Sequence, residues 1–213
     1  MRALFIRWNI GFKVMIAGAA FIGVAMQLFK YGGYMLRYYT VQSNLLVGFF
    51  MLYLLYQYAR QGHWTKGQMR LKGGLTMAIV LTGAVYHIML RPQKTSEEFW
   101  TVENFLVHYI VPWGTLLDCL VFDKAKCYRW SDPFWWTLVP IAYAISAVWI
   151  GVTLRLPIED NADSPFPYFF LNVDKYGYGG IFKYVIALAL GFFLFSYLLV
   201  CSKQLFSMKK KAK

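Results

Sequence analysis

Apolar runs fall at roughly 11–29, 36–58, 73–90, 102–122, 134–154 and 180–201, each near the ~20 residues that cross a bilayer as a helix. In hydrocarbon such runs have to be helical. An open sheet would leave backbone donors and acceptors unpaired, and a β-barrel would show ~10-residue alternating segments that are absent from this chain. The expected fold class is therefore all-α: a polytopic membrane protein of six transmembrane helices forming a single domain over 1–213. With 59% hydrophobic and only 15% charged residues, nothing remains for a separate soluble catalytic module. Arg2, Arg7 and Lys13 lead into the first run without a small-residue cleavage site, so that run is expected to be retained.

Orientation follows from counting bases by side. With six crossings, the amino terminus, the 59–72 and 123–133 loops and the carboxyl tail share a face. That face collects fifteen of the twenty-two Lys and Arg residues, among them Lys13, Lys72, Lys203 and the cluster Lys209, Lys210, Lys211 and Lys213. Against these stand only Asp118, Asp123 and Asp132, so fifteen minus three accounts for the formal net charge of +12. The other face balances seven bases against seven acids, including Asp160 and Asp163. The positive-inside rule predicts that both termini are cytoplasmic. Topology thus explains the basic charge without nucleic acid, and the lysine tail is expected to lie against anionic headgroups. Cys119, Cys127 and Cys201 map to the reducing side and imply packing rather than disulfides. Trp130, Trp135 and Trp136 fit an interfacial aromatic belt.

Polar groups within apolar helices are costly unless they face the bundle interior, which makes each a functional candidate. Thr101, Asn104, His108, Thr115 and Cys119 follow helical periodicity on the fourth run. Thr40, Ser43, Asn44 and Gly48 do so on the second, and Thr76, Gly83 and His87 on the third. These faces are expected to meet. At ~1.5 Å per residue, Thr40, His87 and His108 all lie some 6–9 Å below the non-cytoplasmic ends of their helices, in one layer with Asn44 and Asn104. Asp118, ten residues beyond His108, lies ~15 Å deeper and cannot be its direct partner.

A hydroxyl beside an imidazole is the minimum for nucleophilic acyl transfer, with Thr40 attacking and His108 acting as base and then acid. Asn44, Asn104 and Ser43 are candidates to polarise the carbonyl, and His87 is a further site candidate. Glu103 could orient an imidazole, but its depth predicts headgroup exposure. The plainer reading is that Thr40 bonds its own i−4 carbonyl and that the asparagines only join helices. No metal or other cofactor is expected: of three histidines, His63 falls in a loop, leaving too few ligands for a zinc centre. The outer segment 155–179, with Pro165, Pro167 and successive aromatics, is too broken to span and is expected to fold back as a lid.

The run Tyr39-Thr40-Val41-Gln42-Ser43-Asn44-Leu45-Leu46, the block from His108 to Pro112 followed by Asp118, and the loop from Pro165 to Gly179 resemble bacterial six-helix members of the androgen-induced gene product superfamily. The resemblance covers almost the whole chain. It implies an intramembrane threonine hydrolase of fatty acid esters of hydroxy fatty acids or similar acyl lipids, with Thr40 as nucleophile and His108 as base. It also implies a bacterial cytoplasmic membrane, membrane lipid or acyl-ester substrate as partner, and no cofactor. Two rivals stand beside it: a lipid-binding or small-molecule transport protein using the same layer, and a structural partner in a membrane complex.

Overall fold

The computed structural model describes residues 2–124, 126–159 and 164–209. Asp160, Asp163 and the tail lysines Lys210, Lys211 and Lys213 lie outside them, as does the side chain of Lys209. Among the described residues there is no strand, and six helices are long and apolar enough to cross a membrane. The chain is a membrane-type all-α bundle. Its spanning helices are α1 (Arg2–Tyr31), α2 (Tyr39–Gln61), α3 (Lys66–Gln93), α5 (Val102–Phe122), α6 (Asp132–Leu154) and α7 (Val173–Lys209). A four-residue helix, α4 (Ser96–Phe99), sits between α3 and α5.

Helix ends differ from the apolar runs wherever a local signal overrides hydropathy. Helix α3 begins seven residues before its apolar run, because Thr65 and Gln68 form a reciprocal capping box. Helix α2 begins late, since Gly33–Arg37 is a tight 3₁₀ turn and Tyr38 is extended. Segment 155–179 is not all loop: α7 starts at Val173, with a break at Gly177, where φ is 61°.

Helix α3 is central, packing on α2, α5, α6 and α7, while α1 closes the bundle against α2 and α5. Two successive π turns face each other across the α3–α5 seam, Tyr86–Leu90 on α3 and Leu106–Ile110 on α5. Gly83 makes that seam possible. A Cβ there would stand 2.9 Å from the His108 carbonyl oxygen and 3.1 Å from Pro112 Cβ, so any larger residue would push the helices apart. Outward faces are apolar, with Phe29, Trp113, Trp149 and Phe195 among the exposed side chains, as a lipid-facing surface requires.

One end of the bundle holds a buried charge cluster that the base count had assigned to a headgroup face. Lys13 and Lys72 are fully buried rather than flanking. Lys13 donates to Asp118 at 2.9 and 3.1 Å and to Asn9; Lys72 pairs with both Asp118 and Asp123. Tyr128 donates to Asp123 at 2.6 Å, and Lys203 donates to the Leu120 and Asp123 carbonyls that end α5. Two of the three ammonium groups therefore meet two carboxylates, and the third, Lys203, is held by backbone carbonyls. Burial also pushes the neighbouring Cys127 thiol up to about 11, which keeps it in its neutral form. Trp136 departs from the expected belt as well: it is buried against Gly73 and Gly74, whereas Trp130 and Trp135 are exposed.

Candidate active site

At the opposite end, Thr40 and His108 converge, with Thr40 Oγ1 3.3 Å from His108 Nε2. Both side chains are buried. Several threonines elsewhere in the bundle bond their own i−4 carbonyl: Thr76 to Lys72, Thr115 to Val111, Thr137 to Pro133 and Thr153 to Trp149, all at 2.7–2.8 Å. Thr40 does not share that geometry. It is the second residue of α2, and the carbonyl four residues back belongs to Leu36 in the 3₁₀ turn, where Gln42 Nε2 reaches it at 2.9 Å. The hydroxyl of Thr40 is directed instead to His108 and to the Tyr168 hydroxyl, 3.4 Å away.

The imidazole is held from three directions. Its Nδ1 lies 2.9 Å from Asn104 Oδ1 and 3.2 Å from the Asn104 carbonyl, both acceptors. Asn104 is itself oriented by donating Nδ2 to the Phe99 carbonyl at 2.9 Å. Nδ1 therefore carries the hydrogen, and Nε2 presents its lone pair to Thr40; this tautomer is assigned from the network. The Tyr86 ring lies flat against the imidazole, with centroids 3.8 Å apart and planes 16° apart, and sets its tilt.

Segment 164–171 closes over this pair. Arg37 donates to the Leu156 carbonyl at 2.8 Å and to the Pro165 carbonyl, and Tyr143 donates to the Arg37 carbonyl at 2.9 Å. The segment buries Phe166, Tyr168, Phe170 and Leu171. Tyr168 receives the Thr40 backbone N–H at 3.3 Å, one of the donors that the first turn of a helix leaves without a helical acceptor. Burial holds the Tyr168 hydroxyl above its ordinary range, so it stays protonated and can donate. Beside Thr40 a narrow pocket of about 60 Å³ opens among Leu81, Val85, Tyr143, Phe170 and Leu188.

The remaining sequence candidates take other places. Asn104 accepts from His108 through its side-chain oxygen and donates one amide N–H to the Phe99 carbonyl. Asn44 spends its amide nitrogen on the Thr40 and Val107 carbonyls at 2.8 and 3.1 Å, joining α2 to the π turn of α5. Ser43 pairs with Thr82 at 2.8 Å and reaches the Thr40 carbonyl at 3.2 Å. His87 faces outward, exposed, with Nδ1 3.0 Å from Tyr109 hydroxyl. Residues 86 and 108 form the inward pair and 87 and 109 the outward one. A one-residue step rotates a side chain by ~100°, enough to exchange an inward position for an outward one. Glu103 is buried instead of headgroup-exposed and is paired with Lys30 at 2.7 Å. Among the described residues no His, Cys, Asp and Glu group is arranged to hold a metal ion.

Tyr86 and Tyr168 are the site residues that sequence reasoning did not single out. Tyr168 stood within the expected lid, and its position among the aromatics was its only signal. The periodicity of the third run favoured His87, on the stripe with Thr76 and Gly83, over Tyr86, which is the residue that meets His108. Comparison of the chain with protein-family models, with curated proteins and with solved structures finds no match.

Proposed function

We propose that this protein is an intramembrane ester hydrolase in which Thr40 is the nucleophile and His108 the general base and acid. The observation that carries the reading is the hydroxyl of Thr40, released from the usual i−4 carbonyl and placed 3.3 Å from an imidazole nitrogen whose other nitrogen is already occupied. Thr40 Oγ1 attacks the ester carbonyl carbon while His108 Nε2 takes its proton. Negative charge on the carbonyl oxygen is received by the Thr40 N–H and the Tyr168 hydroxyl, which exchange their mutual contact for the substrate; the partial positive charge at the start of α2 supports it. Collapse breaks the bond to the alkoxy oxygen, which leaves as the alcohol with the proton from His108. Water then adds to the acyl-Thr40 ester, giving its proton to His108 and regenerating the Thr40 hydroxyl as the carboxylic acid departs.

The substrate class is an acyl lipid, because the pocket beside Thr40 is lined by apolar side chains and the surroundings are hydrocarbon. The sequence resemblance supports fatty acid esters of hydroxy fatty acids and a bacterial cytoplasmic membrane with the site toward the outer leaflet. The charge count agrees with that orientation. The experiment is active-site labelling with a fluorophosphonate in membranes, joined to turnover of a long-chain aryl ester. Wild-type protein labels and turns over, whereas Thr40→Ala and His108→Gln do neither. Equal labelling of wild type and Thr40→Ala overturns the nucleophile, and unchanged turnover in His108→Gln favours a binding or transport role for the same pocket.

A further inference from the structure

On the membrane side of α3, a larger apolar groove of about 530 Å³ runs between α3, α5 and α7. It shares Leu81, Val85 and Leu188 with the pocket at Thr40, so these three side chains form the wall between a small reaction chamber and a roomy channel. Between Met77 and His87 the groove extends along ten residues of helix, about 15 Å. Its floor is hydrocarbon, with Phe192 and Phe195 from α7 and Trp113 from α5. One end differs. There the outward pair, His87 and Tyr109, places a ring nitrogen and a hydroxyl oxygen 3.0 Å apart, polar groups that bulk lipid tails have no use for.

A cation stands at the same end. Arg91, four residues beyond His87, lies with its guanidinium carbon 4.7 Å from the centroid of Phe99, whose ring meets Tyr109 edge-on at 6.1 Å. The nearby carboxylate of Glu98 is occupied by Lys94 at 3.1 Å and by the cap at Thr95. The mouth therefore combines donors and positive charge above an apolar trench, complementary to one chain bearing one anionic end.

The geometry points to this groove as a binding site for a long-chain carboxylate, the free fatty acid that deacylation of Thr40 releases. Its carboxylate is received by Arg91, His87 and Tyr109, and its chain lies on the Phe192–Phe195 face. The source of the acid rests on the esterase reading above; the recognition of a carboxylated chain does not.

The two are separated by working with the full-length Thr40→Ala protein in nanodiscs and a palmitic acid analogue carrying a mid-chain diazirine, with its methyl ester as control. Gly191 provides the blocking variant, because a Cβ there meets nothing within 4 Å and Gly191→Phe places its ring in the groove. Photolabelling is expected at the groove residues of α3, α5 and α7. It falls at least about tenfold for the methyl ester, in Arg91→Gln and in Gly191→Phe. In catalytically intact protein, added palmitate inhibits ester turnover, and Gly191→Phe relieves that inhibition. Equal labelling by acid and methyl ester on unsubstituted groove residues overturns the proposal without depending on the folding of any variant. Carboxylate-selective labelling of Thr40→Ala, where the wild-type protein hydrolyses no ester, supports the groove and overturns the Thr40 reaction alone.

Discussion

At the basic end of the bundle, Asp118 accepts from Lys13 and Lys72, and Asp123 accepts from Lys72 and Tyr128, so two positive and two negative charges are mutually spent. Ten residues back along α5, His108 keeps one nitrogen for Asn104 and turns the other to a Thr40 hydroxyl that no helix carbonyl holds. Both centres are buried and both join several helices. The first is saturated and can only hold the helices together, because any new partner must displace an existing one. The second gathers a hydroxyl, a ring nitrogen and a helix-terminal N–H around Thr40, the groups that the proposed attack on a carbonyl calls for.

The sharpest way to break this contrast is to remove a single group from each centre. Thr40→Ala is expected to lower ester turnover by about 10⁴-fold or more, while leaving thermal stability in detergent within about 1 kcal/mol. Asp118→Ala is expected to do the reverse. It leaves Lys13 without a carboxylate and costs about 3–5 kcal/mol of stability by chemical denaturation, with turnover per folded molecule unchanged. Replacing Lys13 and Asp118 together by Met and Leu recovers most of that loss, because the unpaired charge is then gone.

Tyr168→Phe sharpens the outer centre further. On the proposed reaction, loss of this donor is expected to lower turnover about 10²-fold with little change in apparent affinity for ester. Because burial raises the Tyr168 hydroxyl above its ordinary value, the donor remains protonated, and the ratio of wild-type to Phe turnover stays constant up to about pH 10. A ratio that collapses below that pH would place the hydroxyl in water and remove it from the site. The smallest effect belongs to Thr65→Ala, which breaks the capping box at the start of α3 and costs about 1 kcal/mol by the same denaturation measurement, leaving turnover untouched.

Much of this architecture was legible in residue order. Apolar length located the six spans, and helical rise alone put Thr40 and His108 at one depth. The aromatic, proline-rich segment around Pro165 to Phe170 was expected to fold back, and it covers Thr40. Rotation about each helix axis was not legible. The stripe through Gly83 and His87 faces the outer edge of the α3–α5 seam, so Tyr86 reaches the imidazole and His87 does not. Asn104 lies in the expected layer, and the packed turn adds what periodicity does not show, that its side-chain oxygen faces His108 and its amide donates to the Phe99 carbonyl. Lys13 and Lys72 looked like flanking charges because their partners, Asp118 and Asp123, are distant in sequence.

The amino-acid order by itself determined that this chain is a bundle of membrane-crossing helices and at what depth each polar residue lies, because hydrocarbon thickness and the rise per residue leave no alternative. Which polar residues face one another was decided only by the packed bundle. Lateral pairing depends on the Gly83 contact, on two π turns and on a folded-back loop, and these arise from long-range fit rather than from local periodicity.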